Sequence, residues 1–136
     1  MGEASIYYAF GIIMLLIGRI VWNLITKYNA NDEIGNKDNE SAGIAEFGFL
    51  IAYAIIIYSV ISDSRTSRMP IYVDLIISFG WTVFGFITLA AGKFILDLFT
   101  PFKLDDEIAR DKNNGAGWLQ AGFYIAIAVI LIGVLK

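Results

Sequence analysis

From Phe47 to Ser62 the chain runs Phe-Gly-Phe-Leu-Ile-Ala-Tyr-Ala-Ile-Ile-Ile-Tyr-Ser-Val-Ile-Ser without one charged side chain. Extended back to residue 40, the run crosses a hydrocarbon core of roughly 30 Å at about 1.5 Å per helical residue. Three further blocks of the same kind flank it, and the pattern predicts helices over residues 5–27, 40–62, 71–100 and 115–135. Pro70 stands where a helix start tolerates proline, and Pro101 stops the third helix.

The chain has 136 residues, 57% of them hydrophobic, and gathers the apolar ones into these four blocks. A soluble domain of this length has no place to hide four such runs. The expectation is one all-α membrane domain over 1–136, a four-helix bundle. Glu3 is the only charge before the first block, and no small-residue cleavage site follows, so that block reads as a span and not a signal peptide. Tyr7, Tyr8, Trp22, Tyr28 and Trp118 fall near helix ends as interfacial anchors, with Trp81 deeper.

There is no Cys and no His, which removes thiolate and imidazole chemistry: their metal sites, their nucleophiles and the histidine base. No phosphate-cradling glycine loop and no nucleophile–base pair appears, so no enzyme and no cofactor is expected. The net charge of −3 offers no basic surface for nucleic acid.

A shift of 74 residues lays the chain on itself without a gap. Gly11 falls on Gly85, Gly18 on Gly92, Asp32-Glu33-Ile34 on Asp106-Glu107-Ile108, Asn39 on Asn113 and Ala42-Gly43 on Ala116-Gly117. Arg19 meets Lys93, Asn23 meets Asp97 and Glu46 meets Gln120. Apolar composition alone would not put acids, amides, glycines and a mid-helix cation in register, so this is an internal duplication of about 5–62 and 71–136. Each unit has two spans, so the copies are parallel and expected to be related by a pseudo-two-fold along the membrane normal. The linkers 28–39 and 101–114 then share one face, with the short link 63–69 and both termini on the other.

The repeated pattern Asn31-Asp32-Glu33, spacer, Asn39, Ala42-Gly43 resembles the signature of the domain-of-unknown-function 350 family over nearly the whole chain. That resemblance implies a small bacterial inner-membrane protein carrying the two-span unit in pairs. The family's motif places a glycine before the asparagine, whereas here Asp38 precedes Asn39 and Lys112 precedes Asn113.

Ionised groups at membrane depth are costly, so Arg19, Asn23, Glu46, Lys93, Asp97 and Gln120 are expected to face the bundle interior as a polar cluster. Arg19–Glu46 and Lys93–Asp97 are the expected pairs. The cluster reads either as an ion or polar-solute site or as a lock on helix register, with snorkelling cations. Asn39 and Asn113 suit helix capping, or an anion site at two helix N-termini. Asp32, Glu33, Asp106 and Glu107 read mainly as solvated loop charge, or else as caps of a short interfacial helix in each loop or a gathering point for cations. Gly11, Gly18, Gly85 and Gly92 suit close helix packing.

Lys27, Lys37, Lys103, Arg110 and Lys112 lie on the acidic-loop side, against Arg65, Arg68 and Lys136 opposite. The positive-inside rule counts cations and sets the acidic loops in the cytoplasm with both termini outside. The helix halves away from those loops read as almost wholly apolar, which favours an interaction or structural subunit in the bilayer, a homo-oligomer or a partner of other membrane proteins. The alternative is a small channel or transporter.

Overall fold

The computed structural model describes residues 2–136. Its elements are α1 Gly2–Ile25, α2 Ala30–Gly35, α3 Glu40–Ser64, α4 Ile71–Phe99, α5 Leu104–Ala109 and α6 Asn114–Leu135, with no strand among the described residues. α1, α3, α4 and α6 are long and apolar enough to cross a membrane. Each linker contains a short helix, α2 or α5, as one reading of the loop acids allows.

Most of the packing runs through α3 and α6, with α1 laid on α3 and α4 touching both central helices. The close approach of α3 to α6 depends on Gly48, where a methyl group would overlap the Ala121 backbone. In lipid, association rests on such close van der Waals contact, because water expulsion supplies no drive between apolar helices. Gly18 against Tyr53 and Gly92 against Ile127 serve the same end for the outer helices.

The bundle centre is aromatic. Trp22 stacks on Phe49 with centroids 4.3 Å apart. Tyr53 continues the stack, and Phe86 meets all three rings edge-on. Tyr124 closes on Trp22 at 5.0 Å. Edge-to-face and offset contacts of this kind contribute about 0.5–1.5 kcal/mol each beyond their burial. Leu89, Ala52 and Ala128, all fully buried, fill the remaining space.

Two expected anchors are corrected here. Trp22, 5% exposed, is a core residue: three rings surround it and no headgroup contact is left to it. Tyr7, equally buried, is turned inward by a hydrogen bond to Asp74. Tyr8 and Trp118 are exposed at 72% and 60%, as anchors must be.

Candidate functional site

The linkers fold by the same local rule in both halves. Asn39 caps α3, its side-chain oxygen accepting from Ala42 N, and Asn113 caps α6 by accepting from Ala116 N. Each asparagine then turns its amide back on the preceding helix. Asn39 Nδ2 donates to Glu33 Oε2 at 2.9 Å, and Asn113 Nδ2 to Glu107 Oε2 at 3.2 Å. The backbone N–H groups repeat the link, Asn39 to Glu33 O and Asn113 to Glu107 O. To make that return the preceding residue takes a left-handed conformation, φ 51° at Asp38 and 49° at Lys112. A glycine adopts this conformation without a Cβ penalty, which gives a physical reason for a glycine at that point of the motif.

The two linkers also hold each other. Asn39 Nδ2 donates to Ile108 O at 2.8 Å, and Ser41 Oγ to Asn113 O at 2.6 Å. Lys112 Nζ reaches Lys37 O. Glu33 is 4% exposed, so it is not solvated loop charge; Asn39 and Lys37 satisfy it in the interior. The Asn39 amide, then the Lys37 ammonium, hold its carboxyl below the usual glutamate range. Asp32, partly exposed, accepts from Asn36 Nδ2 and lies near Lys37. Asp106 and Glu107 are partly exposed.

Beneath these linkers lie the mid-helix polar residues. Arg19 pairs with Glu46 across α1 and α3, and its Nη2 donates to Asn31 Oδ1 of α2 at 2.7 Å. Lys93 keeps the expected partner Asp97 at 3.8 Å and gains a closer one, its Nζ lying 2.8 Å from Asp105 Oδ1 of α5. Lys93 and Asp105 are both 5% exposed at the side chain, so burial makes this the tighter pair. Asp105 is the position that the shift of 74 lays on Asn31. In each half, therefore, the cation of a long helix grips the same position of the short loop helix. Asn23 Oδ1 ties α1 to α2 by accepting from Ala30 N at 2.8 Å.

Tyr28 sits between the two pairs. Burial, and then the charges of Asp105, Glu46 and Glu33, push its hydroxyl well above its ordinary value. Glu46 Oε2, Asp97 Oδ1, Gln120 Nε2 and Tyr124 Oη are buried without a protein hydrogen-bond partner. A cavity of about 10 Å3 bordered by Arg19, Asn23, Glu46 and Gln120 has the room of about one water. That cavity therefore has space for a bridging water and not for a larger solute. Among the described residues no three His, Cys, Asp or Glu side chains converge as a metal site requires.

The other half of the membrane region is less apolar than the sequence reading has it. Asp74, Ser78 and Thr82 recur at helical spacing on the inner face of α4, and all three are buried, at 5%, 0% and 0% exposure. Tyr7 Oη donates to Asp74 Oδ2 at 3.2 Å, and Ser78 Oγ lies 2.5 Å from Ser64 Oγ. Alignment of the halves hides this stripe: Asp74 lies outside the aligned positions, and Ser78 and Thr82 fall on Ala4 and Tyr8. The spacing of four along α4 is the signal that finds it.

Four membrane-length helices around an aromatic centre, with ionised groups paired inward, define a multi-pass α-helical membrane protein. The chain belongs to the family described as Domain of Unknown Function (DUF350), whose model matches residues 1–135. It is similar to the UPF0719 transmembrane protein YshE of Bacillus subtilis (strain 168), 29% identical over 131 residues, which cover 96% of this chain and 89% of that protein. No solved structure matches.

Proposed function

We propose that this protein is a non-enzymatic structural or interaction subunit of a bacterial inner-membrane assembly, associating with copies of itself or with other membrane proteins. The observation that carries the reading is the outer face of α6. Gly122, Ala126 and Gly133 are exposed there within one narrow stripe, and a Cβ built on either glycine meets open space. The glycines at 18, 48, 85 and 92 are spent on contacts inside the bundle; these two are not. Small residues on a lipid-facing surface let a further helix approach closely. The ionic layer supports the same reading, because its side chains are spent on tying the linkers to the bundle. In this reading two copies of the two-helix unit stand side by side about an axis along the membrane normal.

The alternative, a small channel or transporter, is favoured by polar groups at both ends of the bundle. The aromatic layer of Trp22, Phe49, Tyr53, Phe86 and Tyr124 separates them. It carries no ionisable group other than the tyrosine hydroxyls, and opposes conduction through one chain.

Native mass spectrometry of the protein released from lipid nanodiscs tests the first reading. The expected result is an oligomer that Gly122→Leu or Gly133→Leu reduces to monomer without lowering the melting temperature. A wild-type protein that stays monomeric and retains no membrane partner on mild extraction, or one that carries ions when reconstituted alone, overturns it.

A further inference from the structure

Asp74 stands apart from every other buried acid in the fold. Glu33 has Lys37, Glu46 has Arg19 and Asp105 has Lys93. Asp74 is 5% exposed, and no lysine or arginine lies within ion-pairing distance of it among the described residues. Among the described residues its one side-chain hydrogen bond is from the neutral Tyr7 hydroxyl. It sits in the first turn of α4, at the positive end of the helix dipole. A buried carboxylate in that position wants a positive partner.

Two clefts meet at this side chain. One, of about 240 Å3, is polar, and Glu3, Tyr7, Ser64 and Arg65 border it. The other, of about 320 Å3, is mainly apolar, with Val60, Ile77, Trp81 and Leu135 along it. Asp74 borders both. Trp81 lies two helical turns beyond Asp74 on the same face of α4, about 10 Å along the axis. A charged head at Asp74 therefore has an apolar wall of about that length beside it, opening between α4 and α6. The indole face adds a surface that attracts cations and hydrocarbon alike. Among the described residues the local cations do not fill the role: Lys136 pairs with Asp63 at 3.1 Å, and Arg65 is exposed.

We propose that Asp74 is the anionic end of a binding site for an ammonium group carried on an apolar body. The ammonium sits between the Asp74 carboxylate and the neighbouring hydroxyls, and the hydrocarbon lies along Ile77 and Trp81. The ammonium comes either from a free long-chain amine or from the headgroup of an aminophospholipid. In the second case Arg65, at the rim of the polar cleft, faces the lipid phosphate.

The test uses the full chain in a non-ionic maltoside detergent, with dodecylammonium titrated against dodecanol by isothermal calorimetry. Dodecylammonium is expected to bind at least tenfold more tightly than dodecanol, and Asp74→Asn to abolish the difference. Phosphatidylethanolamine is then compared with phosphatidylglycerol for retention in native mass spectra. Selective retention of phosphatidylethanolamine, lost in Asp74→Asn and weakened in Arg65→Ala, assigns the headgroup as the source. Dodecylammonium binding without selective retention of phosphatidylethanolamine assigns a free amine. Equal affinity of the wild type for dodecylammonium and dodecanol overturns the proposal, as does an Asp74→Asn variant that still discriminates. If Asp74→Asn does not fold, the alcohol comparison on the wild type and on Tyr7→Phe decides: a wild type that prefers neither ligand, or a Tyr7→Phe variant with the wild-type preference unchanged, refutes the site.

Discussion

Replacing Asp38 with glycine should stabilise the protein, and the structure gives the size. Asp38 holds φ 51°, a left-handed conformation. A residue with a Cβ is disfavoured there by about 1–2 kcal/mol, aspartate lying at the low end because its short polar side chain tolerates the region. Glycine removes that term and returns roughly 0.5 kcal/mol through the greater freedom of its unfolded chain. The Asp38 side chain is exposed and takes part in no side-chain hydrogen bond or ion pair of the linker, so nothing else is lost. The net expectation is about 0.5 kcal/mol. Lys112 at φ 49° relieves more backbone strain as glycine but gives up its bond to Lys37 O, and comes out near the same value. The two linkers make separate turns, so the double variant should gain about 1 kcal/mol, a rise in melting temperature of about 3–5 °C. Thermal unfolding in detergent, followed by circular dichroism, measures it. Asp38→Val is the opposing control and should lose about 1 kcal/mol or more, because branching at Cβ crowds the left-handed region. If Asp38→Gly is no more stable than wild type while Asp38→Val is unchanged, the backbone at this position does not carry the strain assigned to it.

Lys93→Met should cost about 3–5 kcal/mol by leaving Asp105 buried without its cation, and Lys93→Met with Asp105→Leu should recover most of that; denaturation of both variants checks it, and equal losses would show the two side chains to be uncoupled. Glu33, whose folded carboxyl titrates below its unfolded range near about 4.3, contributes stability that is present above that pH and lost as pH falls through the lower folded value. Melting temperatures between pH 6 and pH 3 should therefore fall more steeply for the wild type than for Glu33→Gln. A phosphatase that folds only on export should be active when fused after Lys136, given the five cations on the acidic-loop side; an inactive phosphatase, with a cytoplasmic reporter active at the same site, reverses the orientation.

The length of the apolar blocks determined the four spans, because a backbone in hydrocarbon has no partner for its N–H and C=O groups except along its own helix. The register of Asp-Glu and Asn over 74 residues likewise marked the two linkers whose local structure recurs, down to the asparagine caps. What the linear pattern left open is which way each helix turns and what stands opposite. Lys93 has Asp97 one turn away in sequence, but the fold of the second linker brings Asp105 closer and buries it. Trp22 looks like an anchor by its place near a helix end, and the rotation of α1 puts it among Phe49, Phe86 and Tyr124. Asp74 is a single acid at a helix start until α1 and α3 enclose it with Tyr7 and Ser64. Hydropathy depends on the residues of one segment, so it survives reading along the chain. Partner choice and burial depend on the relative rotation of helices packed side by side, which arises from the contacts of Gly18, Gly48 and Gly92 with residues far away in sequence.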